Sequence, residues 1–262
     1  ESKATSNESL SVEEWERVVR VLSQEGIEKV RVTGGEPLVR RDLPNLVDRL
    51  KKVPGIRTVG LTTNGTLLAR HLRSLKDAGL DCLNVSLDTL RSDRFERIAR
   101  QPGFSQVIQG IRVALREGFH PLKINVVVMG GINEDEILDF VELTRALPLH
   151  IRFIEYMPFT SNGWEDSSFV PYATMKTVIE ERHALIPVGP PDVGGKVSKD
   201  FQVPGFEGKV GFITSISDHF CSTCSRLRIL ADGRIKNCLF QPPAGNVRDV
   251  IRAGGSDADL LR

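Results

Sequence analysis

The chain has 262 residues and a 40% hydrophobic composition, which supports one large α/β domain, or one plus a small appendage, around a real core. Its formal net charge of +1 excludes a polyelectrolyte built for nucleic acid or for a charged membrane surface, and no apolar run is long enough to span a bilayer. Four cysteines, three of them clustered in the last quarter, exclude a secreted disulfide framework and suit metal ligation in a reducing compartment.

Residues 1–10 are polar. Ser11 followed by Glu14 is a capping box that opens an amphipathic helix to about Gln24. "EKVRVTGG" is then a short β-branched strand ending in glycines. A helix near Leu43–Lys52 leads to the strand "IRTVGLTTNG", and a helix near Ala69–Ala78 stops at Gly79 before the strand "CLNVSL". Helices near Asp93–Ala99 and Ser105–Glu117 precede the strand "LKINVVVM". A helix near Glu134–Ala146 and the strand "LHIRFIEYM" complete the series. The strands are apolar runs that alternate with helices, a pattern of parallel pairing in a barrel or an open doubly wound sheet. "TGGEP", "TTNG", "SLD" and "EYM" all fall at carboxyl ends of strands, the edge that carries the site in such folds.

After Met157 the texture changes. Residues 158–170 and 187–199 are rich in Pro, Gly and Ser and are expected as loops, with a helix near Tyr172–Arg182 between them. "KVGFITSIS" and "RLRILADGRIKNCLF" are strands, the second pair joined by a turn at Asp232–Gly233. Two regions follow from this: 1–157, a partial barrel, and 158–262, a carboxy-terminal region.

Cys221-x-x-Cys224 puts two thiolates on one tight turn, and the turn at Asp232–Gly233 can fold Cys238 back toward them. Two sites fit this set: a closed Cys3His zinc using His219, or an iron–sulfur cluster with one iron left open. Cys82 opens an apolar strand and is expected as a buried core thiol. Arg226 and Arg228 alternate with Leu227 and Ile229. On a strand both guanidinium groups would share one face and suit a phosphate or triphosphate. In "TGGEP", Gly34 and Gly35 let a ligand approach the backbone, with Glu36 as an added acceptor. Arg31, Thr62, Ser86, Asp88 and Met157 are each ambiguous from the residue alone, Asp88 reading equally well as a helix cap. Lys123 is a snorkelling lysine, a phosphate contact, or the Schiff-base nucleophile of a class I aldolase-like barrel carrying a structural zinc.

Taken together, "VRVTGGEPLVRRDL", "LTTNG", "LNVSLDTL", "KINVVVMGGINEDE", "IRFIEYMPF" and "FCSTCSRLRILADGRIKNCLF" closely resemble the GTP 3′,8-cyclases. These are radical S-adenosylmethionine (SAM) enzymes of the first step of molybdenum cofactor biosynthesis. The resemblance runs from about Glu13 to Leu261. It implies an α/β fold, an incomplete (βα)6 TIM-type barrel with a carboxy-terminal iron–sulfur-binding extension. It replaces zinc by a 4Fe–4S cluster on Cys221, Cys224 and Cys238 whose open iron binds the guanine ring. It implies SAM contacts at Gly35, Ser86 and Met157, and GTP contacts at Arg31, Thr62, Lys123, Arg226, Leu227 and Arg228.

The family's Cys-x-x-x-Cys-x-x-Cys loop, which holds a second 4Fe–4S cluster, and its carboxy-terminal Gly-Gly tail are not among the 262 residues, and the chain opens on Glu1. A truncated or processed chain that does not itself cleave SAM is therefore expected. The resemblance also implies a homodimer and a cyclic pyranopterin monophosphate synthase downstream, while the near-zero net charge and the lack of a spanning apolar run lead to an expectation of no nucleic acid and no membrane. The compartment it implies is bacterial cytoplasm or mitochondrial matrix.

Overall fold

The computed structural model describes residues 9–159, 162, 164–189, 197–218 and 224–262. They fall into two compact units, the first made of Glu1–Thr62, His71–Cys82 and Ser225–Arg262, the second of Thr63–Arg70 and Leu83–Cys224.

The first unit begins with α1 (Val12–Gln24), opened as expected by a capping box. The Glu14 amide donates to Ser11 Oγ at 3.1 Å, and the Ser11 amide donates to Glu14 Oε2 at 2.7 Å. Two amides that the first helical turn would leave bare are thus satisfied. α2 (Leu43–Lys52) has the predicted bounds, and it buries Leu43, Leu46, Val47 and Leu50, the i, i+3, i+4, i+7 stripe of a helix that covers a core. β1 (Lys29–Val32) and β2 (Thr58–Thr63) pair in parallel, with Arg31 beside Gly60. α3 (Leu68–Asp77) follows.

The chain's last residues complete this unit. β9 (Arg228–Ile229), β10 (Arg234–Lys236) and β11 (Gly245–Asn246) form a small antiparallel sheet, and α8 (Val247–Arg252) closes it. The predicted turn at Asp232–Gly233 joins β9 to β10. Leu10, Val18 and Val247 form a buried cluster against Trp15, Leu22, Ile229, Ile235 and Ile251. Each fully buried aliphatic side chain contributes about 1.5–3 kcal/mol, so this cluster fixes the carboxy-terminal hairpin on α1. Arg17–Asp257 (2.7 Å) and Arg252–Glu14 (2.9 Å) flank it as half-exposed ion pairs of small value. β11 and α8 were not foreseen. They are too short to show a periodicity of their own.

The second unit holds β3 (Cys82–Ser86), α4 (Ser92–Ala99), α5 (Phe104–Arg116), β4 (Leu122–Val128), α6 (Ile137–Leu143), β5 (Leu149–Glu155), α7 (Tyr172–Glu180), β6 (Ile186–Pro187), β7 (Lys199–Gln202) and β8 (Lys209–Ile213). The strand order is β3-β4-β5-β8-β7-β6. The pairs β3·β4, β4·β5 and β5·β8 are parallel, and β8·β7 and β7·β6 antiparallel. Phe153 on β5 meets Phe140 of α6 edge-on at 6.3 Å and Phe212 of β8 at 5.9 Å, so one aromatic core ties a helix to the sheet.

Four expectations need correction here. The segment 187–199 is not all loop, since it begins in β6 and ends in β7. The helix expected over 134–146 splits into a 3₁₀ turn, Glu134–Glu136, and α6, where Glu136 turns inward to Thr89, the Leu90 amide and Arg94. Cys82 is half-buried rather than a core thiol. β4 is not a uniform apolar run: Leu122, Ile124, Val126 and Val128 are buried, and Lys123, Asn125 and Val127 alternate with them, half-buried. That alternation defines the site.

Candidate functional site

Parallel register puts paired residues on the same face of a sheet. In the second unit Asn84 and Ser86 of β3 lie beside Lys123 and Asn125 of β4, which lie beside His150 and Arg152 of β5, and Arg152 lies beside Gly211 of β8. One face is therefore polar from strand to strand, while the opposite face carries Val85, Ile124, Ile151 and Phe153 into the core. Arg152 Nη2 donates to Asn125 Oδ1 at 2.6 Å. Asn84 is 4% exposed, and its Oδ1 has no hydrogen-bond partner among the described residues. A buried acceptor left bare costs about 1–3 kcal/mol, which a ligand donor would relieve.

His150 and Asp200 of β7 complete this face, with His150 Nε2 3.1 Å from Asp200 Oδ1. Burial holds the His150 pKa below its ordinary value, Asp200 opposes that shift, and the charges of Arg152 and Lys123 add to it. The imidazole is thus neutral near pH 7 and donates Nε2–H to the carboxylate. A Cβ at Gly211 would come within 2.3 Å of Ser198 Oγ and 2.8 Å of both Asp200 Oδ1 and His150 Nε2. Only glycine leaves room for these three groups to converge, and among the described residues the buried Ser198 Oγ also has no hydrogen-bond partner.

At the carboxyl end of β3, Ser86 and Asp88 line a cavity of about 150 Å³ with Asn64, Thr66, Phe95 and Gln101. Asp88 is not a helix cap. Its Oδ1 accepts the Val127 amide at 2.8 Å, and burial, opposed by that bond, pushes its carboxyl up to about 6. Met157 is half-buried just past β5, where its carbonyl accepts Asn162 Nδ2 at 2.8 Å.

The first unit carries the remaining predicted residues. Arg31 is no surface charge: its Nη1 is buried without a hydrogen-bond partner among the described residues, and burial lowers its pKa. Its guanidinium lies over Gly60, where a Cβ would come within 3.3 Å of Nη1. Thr62, two residues on in β2, shares that face and is half-buried. Gly35 precedes a 3₁₀ turn at Pro37–Val39, which Glu36 opens by accepting the Leu38 amide at 3.0 Å. Glu36 therefore caps its own turn. β9 starts only at Arg228, so the strand-face argument does not hold for Arg226 and Leu227, which precede it, exposed. Arg228 pairs across the hairpin with Lys236. Like charges opposite each other repel, and a polyanion between them relieves the cost.

Cys221 and His219 lie outside the described residues. Cys224 is exposed and Cys238 half-buried. Among the described residues no group of three His, Cys, Asp or Glu gathers as a metal site, and no helix is long and apolar enough to cross a membrane. The donor chemistry still fits a soft metal centre, because Cys224 and Cys238 follow Cys221 closely in sequence and are not tied into a disulfide.

Asn84, Asn125, His150, Arg152, Ser198 and Asp200 were missed from sequence. For Asn125, His150 and Arg152 the signal was the period-two polarity of "LKINV" and "LHIRF", hidden inside strands that look apolar in sum.

Comparison with known proteins agrees with this geometry. The sequence profile described as the Radical SAM superfamily matches residues 3–144, and that described as Molybdenum Cofactor Synthesis C matches residues 149–262. SuiB of Streptococcus suis, 16% identical, superposes with a TM-score of 0.61 over 92% of this chain and 57% of its own. The chain therefore belongs to the radical SAM superfamily, with the α/β, incomplete-barrel class of fold expected from its sequence.

Molybdenum cofactor biosynthesis protein 1 of Mus musculus is 49% identical over 97% of this chain and 40% of its own length. The mitochondrial GTP 3′,8-cyclase of Arabidopsis thaliana is 43% identical over 96% of this chain and 64% of its own. The GTP 3′,8-cyclase of Syntrophomonas wolfei is 43% identical over 96% and 77%. Within the superfamily, the chain's family is that of the GTP 3′,8-cyclases. It spans about two fifths of the length of the first of these curated relatives. None of these relatives favours the aldolase-like alternative.

Proposed function

We propose that this chain is the substrate- and cluster-binding part of an enzyme that converts GTP to (8S)-3′,8-cyclo-7,8-dihydroguanosine 5′-triphosphate, the first step of molybdenum cofactor biosynthesis. The observation that carries this is the half-buried polar face of β3, β4 and β5. Lys123 and Arg152 lie there beside a buried Asn84 acceptor that has no hydrogen-bond partner among the described residues. Two cationic side chains next to an unfilled acceptor suit a ligand that is anionic at one end and donates hydrogen bonds at the other. A guanine nucleotide has both properties.

The family resemblance supports the residue roles. Arg31, Thr62, Lys123, Arg226, Leu227 and Arg228 would bind GTP; Gly35, Ser86 and Met157 would bind SAM. Cys221, Cys224 and Cys238 would hold a 4Fe–4S cluster with one iron open to the guanine ring, so that residues 158–262 supply the cluster and part of the clamp. When bound, SAM and a reduced cluster supply radical chemistry that no side chain can provide. This chain's groups hold the nucleotide, exclude water and fix its ribose and base in one orientation. The mature protein is proposed as a homodimer in bacterial cytoplasm or mitochondrial matrix, passing its product to a cyclic pyranopterin monophosphate synthase.

The 262 residues contain no Cys-x-x-x-Cys-x-x-Cys run. The product assay is therefore made on a longer chain that has it, anaerobically, with SAM, dithionite and GTP. Equimolar 5′-deoxyadenosine and cyclised nucleotide are expected. Deoxyadenosine formation that does not respond to GTP would remove GTP as the substrate.

A further inference from the structure

One face of the carboxy-terminal hairpin carries two cations with no anion to match them. Arg228 of β9 and Lys236 of β10 are register partners, so both side chains leave the same face, with Cβ atoms about 4.5–5.5 Å apart. Ile229 and Ile235, the neighbouring pair, leave the opposite face and pack on the cluster of Leu10, Val18 and Val247. A strand alternates its side chains between two faces, so that packing fixes where the two cations point.

Both cationic side chains are half-buried. Among the described residues the Arg228 guanidinium makes no hydrogen bond or ion pair. Lys236 Nζ donates to the Leu239 carbonyl at 2.9 Å, a neutral acceptor that aims the ammonium without cancelling its charge. The carboxylates of the same small sheet and its helix are committed to other arginines. Asp232 Oδ2 accepts Arg234 Nε at 2.7 Å, and Asp249 pairs with Arg248 at 3.1 Å.

Like charges directly opposite each other destabilise a strand pair, and here no side chain among those described offsets the cost. An anion held between the two groups would draw on both, through the guanidinium fork on one side and the compact ammonium on the other. A chain of phosphates carries charge at several points and can meet two cations at once. A single phosphate held elsewhere by its nucleoside meets neither as well.

We propose that Lys236 is a phosphate-binding, specificity-determining residue that grips, together with Arg228, the outer phosphates of a nucleoside triphosphate. This rests on the reading of the chain as GTP-binding and adds to it a residue outside those that the family resemblance implies.

Lys236→Glu and Lys236→Gln test it. Each chain is reconstituted anaerobically with iron and sulfide and titrated calorimetrically with GTP, GMP and inorganic tripolyphosphate, while melting temperature and iron content are followed. Lys236→Glu sets an opposite charge across from Arg228, so it should melt no lower than the parent and yet bind GTP and tripolyphosphate at least about tenfold more weakly. GMP binding should change less than about threefold, because the lost charge–charge contact lies at the outer phosphates. A residue that only held its turn through the Leu239 carbonyl would lose melting temperature and iron along with affinity. That result, equal losses for GTP and GMP, or parent-like binding of GTP and tripolyphosphate each overturn the proposal. Should Lys236→Glu fail to fold, Lys236→Gln carries the test, since it keeps a donor for that carbonyl. Weaker GTP binding at unchanged GMP binding then supports the proposal, and parent-like GTP binding overturns it. A parent that takes tripolyphosphate but not GTP would remove the nucleotide reading itself, while loss of tripolyphosphate in Lys236→Glu would still uphold the polyphosphate grip.

Discussion

Cys224→Ser should empty the carboxy-terminal metal site while leaving the fold intact. Reconstituted anaerobically, the parent chain should take up iron and inorganic sulfide together with a broad visible absorption, and the variant should take up almost none. A tripod of thiolates loses one leg, and a serine hydroxyl is neither soft nor ionised enough to replace it. The fold should survive because Cys224 is exposed, outside the apolar cores of both units. Cys82→Ser is the internal control. That thiol is half-buried at the start of β3, among residues with no proposed metal role, so its replacement should leave iron uptake at the parent's level. Far-ultraviolet circular dichroism checks that neither variant has unfolded. Iron retained in Cys224→Ser would contradict the assignment of this cysteine.

Arg226→Ala and Arg228→Ala should each weaken GTP binding about 10- to 100-fold, the loss expected for one or two charge-assisted hydrogen bonds of about 1.5–3 kcal/mol. SAM binding should change far less. Arg228 lies directly across the hairpin from Lys236, an arrangement that repels itself until an anion sits there. Arg226 is exposed just before β9, outside both apolar cores, so its replacement should cost little stability. Calorimetric titration with GTP, GMP and SAM separates the effects. The loss should be large for GTP and small for GMP, because the proposed clamp grips the outer phosphates. Equal losses for all three ligands would assign the arginines a structural role.

The fold was legible where periodicity is long. The bounds of α2 and the capping box of α1 followed from a 3.6-residue apolar stripe and from Ser11 with Glu14. The turn at Asp232–Gly233 followed from its dipeptide. β6, β11 and α8 escaped because elements of two to six residues carry no period of their own; they form only where the rest of the fold supplies partners.

The sequence points to a site where chemistry is concentrated in a motif, as with the clustered cysteines and the arginines beside them. Lys123 was picked out and its neighbours were not. Asn125, His150 and Arg152 sit at every second position of strands whose other face is Ile and Phe, so average hydrophobicity hid them. The burial of Arg31 could not be read from its own strand. Its exposure depends on Gly60 beneath it, a residue from another strand that no local pattern reveals.

The central claim is an iron centre with one coordination position open to a guanine nucleotide. Mössbauer spectroscopy of the ⁵⁷Fe-reconstituted chain, with and without GTP, tests it most directly. One iron of each cluster should change its isomer shift and quadrupole splitting when GTP is added, the others staying as they were, and Arg228→Ala should need more GTP for the same change. A site that takes up only Zn²⁺, or a spectrum that GTP leaves untouched, would contradict it.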